Sequence, residues 1–203
     1  MNEALAYLER RAAEALRRPV SSPESNRLYK YLNLLIKWQK SQRLVGSSEP
    51  TWIVDHVIGD SLLFTRVLPA QFQSLCDIGS GAGIPGIPLA VVLPDVDVTL
   101  LEARQKRASF LAAAIRELDL ANCRLFSRRL EDAAADLVAR FDVAVMRCAG
   151  NPTALWAAIR PVLKPGGLVV AAGPPQRREV DFGNWLEIDG PNGIRRFWMH
   201  RAT

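Results

Sequence analysis

The chain has little of what metal or thiol chemistry requires. Its two histidines, His56 and His200, lie far apart. No set of ligands at metal-binding spacing surrounds either one, so no metal is expected. Three cysteines, Cys76, Cys123 and Cys148, sit beside apolar runs without a CxxC pair. They read as small buried hydrophobes, which excludes a disulfide frame and a zinc site. Long apolar stretches are also missing. The longest charge-free segment, 78–94, contains three prolines and four glycines, which is incompatible with a bilayer-spanning helix of roughly 20 apolar residues. Glu3, Glu9, Arg10 and Arg11 interrupt any apolar leader core, and the early acids argue against a transit peptide. A soluble, cytoplasmic protein with no membrane partner is expected. Nor is there a block of one charge: residues 1–70 carry 10 Lys/Arg against 7 Asp/Glu, and the remainder carries 16 against 14, so no basic tail exists.

What is present suits one α/β domain with a short appendage: 203 residues, 49% of them apolar. A net charge of +5 favours a polyanionic partner, although solubility alone would explain so small a surplus. Local clusters say more: Arg104, Lys106 and Arg107; Arg124, Arg128 and Arg129; Arg177 and Arg178; Arg195, Arg196 and Arg201.

Residues 1–70 read as a helical cap. Leu5, Leu8, Ala12 and Leu16 recur at three- and four-residue steps, and Arg17, Arg18 and Pro19 supply a basic last turn and a stop. Ser22 is placed to cap a second helix with Pro23 in its first turn, and Leu28, Leu32 and Leu35 form its buried stripe to about Gln39. A third helical stretch, 52–68, is expected to kink near Gly59, with His56 and Asp60 on one face. From Leu75 the pattern changes. Short apolar runs (SLCDI, VDVTLL, CRLFS, FDVAVM, GLVVAA) alternate with helices near 86–93, 104–118, 131–139 and 152–163. That is the signature of βαβ units around a parallel sheet, so 71–203 reads as a doubly wound α/β domain. Two further strands, near 185–188 and 195–200, are separated by a Gly190-Pro191-Asn192-Gly193 turn.

The run from Cys76 to Gly86 follows the first strand and opens the first sheet-packing helix, the cofactor position of such folds. Glycines there bring bare backbone against a ligand, and free N–H groups at the helix start favour an anion. No Lys-Ser or Lys-Thr follows, so a P-loop is excluded. Gly81, Gly83 and Gly86 fit GxGxxG, and Glu102 stands near the end of the second strand where ribose hydroxyls are held. Against a dinucleotide stands Asp77. A carboxylate at this strand end repels a pyrophosphate and attracts a cationic ligand, and S-adenosylmethionine carries an ammonium and a sulfonium. Glu102 offers its sugar a two-point acceptor, and Glu131 or Asp132 could border the adenine. The plainer reading of both as helix-terminus charges stands level with the functional one for Glu131 and is the weaker reading for Asp77, which lies within the loop.

The strings WQKSQRL, WIVDHVIGDSLL, DIGSGAGIPGIPLAVVLPDVDVTLLEARQKRASFL, FDVAVMRCAG and LKPGGLVVAAG resemble, in order and spacing, the bacterial small-subunit ribosomal RNA guanosine-7 methyltransferases, long labelled glucose-inhibited division protein B. The resemblance covers roughly 30–175, and its IPGIPLA extension is more specific than a generic methyltransferase loop. It implies a Rossmann-like class I S-adenosylmethionine methyltransferase sheet with an N-terminal helical cap. The implied activity is methyl transfer to nitrogen 7 of a guanosine in 16S rRNA, or in the small ribosomal subunit; a monomer is expected, although the sequence itself does not fix the oligomeric state. By matching positions, Gly79, Ile84, Leu130, Glu131 and Arg147 fall on cofactor contacts. Lys106, Arg129 and Arg147 fall on basic positions of the cleft, and His56 with Asp60 on the helical motif. The chain departs from the family at Met146, Cys148 and Ala172, and Arg43-Leu44-Val45 replaces the usual Asn-Leu-Thr.

Nitrogen 7 of guanine has a free lone pair, so its methylation requires alignment rather than a general base, which suits a chain without a nucleophile constellation. Arg147 is expected to place the guanosine or its phosphate, with Lys106 and Arg129 on the RNA backbone. His56 and Asp60 have a plainer reading as a link between cap and sheet. A small-molecule methyltransferase, an RNA-binding protein with little turnover and a nicotinamide oxidoreductase remain as competing readings.

Overall fold

The computed structural model describes residues 3–147, 151–173 and 182–202. Cys148, Pro174, Pro175, Arg177 and Arg178 lie outside them. Helices α1 (Glu3–Leu16) and α2 (Ser22–Gln39) come first. The cap of α2 is Ser21 and not Ser22: the Ser21 hydroxyl receives the Glu24 N–H while the Glu24 carboxylate receives the Ser21 N–H, a reciprocal box that Ser22 cannot form from one position further on. The third helical stretch changes pitch along its length. It runs from α3 (Pro50–Ile53) through a π-helical turn (Val54–Gly59) to α4 (Asp60–Leu62), and ends in a 3₁₀ turn (Leu63–Arg66).

Five parallel strands follow the apolar runs: β1 (Ser74–Ile78), β2 (Asp97–Leu101), β3 (Cys123–Phe126), β4 (Phe141–Arg147) and β5 (Leu163–Ala172). Between them lie α5 (Gly86–Val92), α6 (Gln105–Glu117), α7 (Leu130–Ala133) and α8 (Pro152–Ile159). An antiparallel hairpin, β6 (Asn184–Gly190) and β7 (Gly193–Arg201), completes a seven-stranded sheet in the order β3-β2-β1-β4-β5-β7-β6.

Strand residues alternate between two faces, as a period of two requires. Leu75, Val98, Leu100, Val143 and Val145 pack in one core with α1, α2, α5 and α6; Cys76, Ile78, Leu101, Ala144 and Met146 pack in the other with α7 and α8. Helices on both faces make the fold doubly wound. Cap and sheet therefore share the first core, in which Leu28, Tyr31, Leu32 and Leu35 of α2 are fully buried. The strand order reverses between β1 and β4, which pair directly. Ligand crevices form at such a reversal, outside the carboxyl ends of the strands. Here those ends carry the glycine loop and Arg147.

Cys76 and Cys123 are buried free thiols, and burial pushes both thiols up, Cys123 to about 12. Among the described residues no helix is long and apolar enough to cross a membrane, and no group of three potential ligands could hold a metal ion.

Candidate functional site

A cavity of about 250 Å³ lies at the reversal point. Its floor is the loop of Gly79, Ser80, Gly81, Ala82 and Ile84, and its walls include Leu44, Val45, Trp52, Val57, Arg107 and Arg147. Gly79 and Gly81 hold φ near +66° and +60°, a region costly to residues with a Cβ, so the bend needs glycine there. Gly86 is required for closeness. A Cβ on it would lie 2.3 Å from Leu100 Cδ2 and 2.6 Å from Asp77 Oδ2.

That contact shows what Asp77 does. Its side chain has no solvent exposure, does not line the cavity, and accepts the Gly86 N–H at 2.9 Å. It lies on the same strand face as Leu75, one layer beneath the loop, so the expected direct approach to a ligand gives way to support from below. Its other oxygen, Oδ1, is buried without a hydrogen-bond partner. Burial pushes the Asp77 carboxyl up to about 7, opposed by the Gly86 N–H and the Ser80 hydroxyl and aided by the Glu102 charge. Glu102 is also buried, and its oxygens receive the Gly81 N–H at 2.9 Å and the Arg104 N–H at 2.7 Å. It clamps the loop to the end of β2, so any sugar hydroxyl would share these oxygens. Tyr31, which the sequence reading missed, braces the loop from α2: its buried hydroxyl donates to Ala82 O at 2.7 Å. Its phenol is held well above the usual range by burial and by Asp77.

Arg147 ends β4 at the cavity wall. Its Nη2 donates to His56 O at 2.6 Å and lies 3.5 Å from Asp60 Oδ2, while its Nη1 is buried with no hydrogen-bond partner. His56 and Asp60 thus converge on Arg147 rather than on the open cleft, and His56 contributes its carbonyl; its ring lies 5.0 Å from that of Trp52. The remaining sequence candidates are spread out. Leu130 is buried, and Glu131 and Arg129 are exposed at the start of α7; none of the three lines this cavity. Lys106 lines a neighbouring groove of about 440 Å³ with Ser41, Gln42, Arg43, Arg104 and Gln105. Leu44 and Arg107 border both concavities. Of the five tryptophans, Trp52 lines the cavity, whereas Trp198 is buried and Trp38 packs edge-on against Phe110. Val45, Trp52 and Arg107 stood in the sequence as part of a departure from the family, the start of a family string and a basic cluster, and nothing there placed them on one cavity.

The pattern of the family described as rRNA small subunit methyltransferase G matches residues 24–180. A relative of that name from Clostridium botulinum is 36% identical over 159 residues, covering 76% of this chain, and one from Xanthomonas euvesicatoria is 35% identical over 144 residues, covering 71%. The alignments span 66% of each relative's own length. Among solved structures, a methyltransferase from Geobacter sulfurreducens superposes with a TM-score of 0.59 at 15% identity, covering 91% of both chains. A SAM-dependent methyltransferase from Aquifex aeolicus superposes with a TM-score of 0.55 at 13% identity, over 71% of this chain and 90% of that one. These likenesses show the fold, a methyltransferase-type α/β sheet with added N-terminal helices. The sequence matches go further: the chain belongs to the rRNA small subunit methyltransferase G family.

Proposed function

We propose that this protein transfers the methyl group of S-adenosylmethionine to nitrogen 7 of a guanosine in 16S rRNA, acting as a cytoplasmic monomer on the RNA or on the small subunit. One observation carries the reading: the glycine-loop cavity opens beside a groove bordered by Arg43, Arg104, Lys106 and Arg107. Among the described residues no carboxylate pairs with these four side chains, and they stand together along one concavity. Unpaired cations along a concavity suit a phosphodiester backbone.

The residues present fit the cofactor. The buried Nη1 of Arg147 lacks a partner where a carboxylate or phosphate oxygen would complete it. The glycine loop presents backbone without side chains, and the buried carboxylate of Glu102, bonded to the loop at Gly81, biases the floor towards a cationic ligand. When bound, S-adenosylmethionine supplies an electrophilic methyl group on a sulfonium. Arg147 orients an anionic group against the loop, Trp52 and Val57 keep water from one wall, and the basic groove holds the strand. No residue needs to remove a proton, because the attacking lone pair is already free. Alignment of this kind can supply on the order of 7 to 11 kcal/mol.

The test is to incubate the protein with tritiated S-adenosylmethionine and small subunits from a strain lacking the modification, then map the labelled base. Label on nitrogen 7 of one 16S guanosine is expected. Label appearing only with metabolite extracts would favour a small-molecule substrate, and salt-dependent RNA binding without label would favour a binding protein.

A further inference from the structure

Arg147 is held by a segment whose shape is maintained from two distant parts of the chain. In an α-helix the Asp60 N–H would bond to the His56 carbonyl. In the π-turn it goes to Asp55 O and Val57 O instead, and the His56 carbonyl accepts Arg147. Wide turns of this kind are costly and concentrate at functional sites. Here one is pinned on two sides. From α1, Arg11 Nε donates to Asp55 Oδ1 at 2.6 Å and the Tyr7 hydroxyl to Asp55 Oδ2 at 2.9 Å. From the hairpin, Asn192 Nδ2 donates to Asp55 O at 3.1 Å and Arg195 Nε to Asp60 Oδ1 at 3.0 Å. Arg11 and Asn192 also bond to each other, closing the ring. Tyr7, Arg11, Asn192 and Arg195 all lie outside the stretch 24–180 that carries the family pattern.

We propose that Arg195, supported by Asn192 and Arg11, is a positioning residue for Arg147. It holds one oxygen of Asp60, so that this single carboxylate is divided between two guanidinium groups. Arg147 is thereby steered without being neutralised: Nη2 is committed to His56 O and Asp60, and Nη1 is left to bind an anion. Without Arg195 the whole Asp60 charge falls to Arg147, and the π-turn loses its link to the hairpin. The role of that anion rests on the functional reading above; the holding of the turn does not.

Two measurements test this. In calorimetric titrations with S-adenosylhomocysteine, Arg195→Ala is expected to weaken binding about ten-fold, within the range of coupled neighbouring residues, and Arg195→Lys to restore most of the loss. In an Arg147→Ala background, Arg195→Ala is expected to have no further effect, because it acts through Arg147. Additive losses would overturn the proposal, since a merely structural residue would weaken both backgrounds alike. The second measurement is amide hydrogen exchange of residues 54–60 in the cofactor-free protein. Exchange there is expected to speed up in Arg195→Ala while β1 and β4 stay protected; unchanged exchange in 54–60 would refute the clamp. Should Arg195→Ala fail to fold, Asn192→Ala and Arg195→Gln take its place in both measurements. If the wild-type chain binds no S-adenosylhomocysteine, the functional reading and the Arg147 half of the proposal fall together, while the exchange result still decides the clamp.

Discussion

Replacing Asp77 by Asn should change how stability depends on pH. The carboxyl is buried, and its folded value of about 7 lies above the ordinary 3.8. Below about pH 4 both folded and unfolded chains hold the proton, and the stabilisation is fully present. Between about pH 4 and 7 the unfolded chain releases its proton while the folded chain keeps it, so stability falls as pH rises, and levels off above about 7. Each tenfold difference in proton affinity between the folded and unfolded chain is worth about 1.4 kcal/mol, so the full loss is on the order of 4 kcal/mol. The amide oxygen of Asn can still accept the Gly86 N–H, but its NH₂ would point where Oδ1 has no partner, a cost of about 1 to 3 kcal/mol. Asp77→Asn should therefore be close to or below wild type in stability at pH 4 and more stable at pH 8. Urea unfolding at steps from pH 4 to 8 measures both profiles. If the two curves run parallel across this interval, Asp77 does not titrate as its burial requires and the reasoning fails. On the functional reading, a cation seated above the loop favours ionised Asp77. Cofactor binding should then release part of a proton near pH 6, seen as a calorimetric heat that varies with the ionisation enthalpy of the buffer.

Gly86→Ala should destabilise the fold by about 1 to 3 kcal/mol through overpacking against Leu100 and Asp77, read as a lowered denaturation midpoint. Tyr31→Phe removes the bond to Ala82 O and should cost about 1 kcal/mol, with faster amide exchange in residues 79–84 as its local signature. Combining Arg43→Ala with Lys106→Ala should weaken RNA binding and reduce the salt dependence by about one unit of slope per lost phosphate contact. S-adenosylhomocysteine affinity should stay unchanged, since neither side chain lines the glycine-loop cavity. Arg147→Ala should lower methyl transfer at least about ten-fold; full transfer by that variant would remove Arg147 from the site.

Strands were legible because each is an apolar run bounded by polar residues, and β1 to β4 fall within a residue or so of those runs. The glycine loop was legible for a similar reason: few other turns need so many residues without a Cβ. The direction of Asp77 was partly legible. Strand alternation sets it on the face of Leu75, which the following helix covers, so its burial follows from the pattern once α5 is placed. The π-turn was not legible, since nothing in the residues of Val54–Gly59 distinguishes one helical pitch from another, and the side chains that bond this segment come from α1 and the hairpin, far off in the chain. The tie from Asp60 to Arg195 was invisible for the same cause, because nothing near either residue announces a neighbour 135 positions away. The one-residue error at the α2 cap came from a Ser-Ser pair in which only the Glu24 partner breaks the tie.

The bond between Arg11 and Asn192 joins residues 181 positions apart. Closing a loop of that length costs more chain entropy than closing any local contact, and that cost is met before the contact returns any stabilisation. A chain that has built its sheet but not this last link would own a glycine loop without a steadied Arg147. On the functional reading, methyl transfer is thus expected to lag behind the recovery of secondary structure on refolding, with activity marking a late step of assembly.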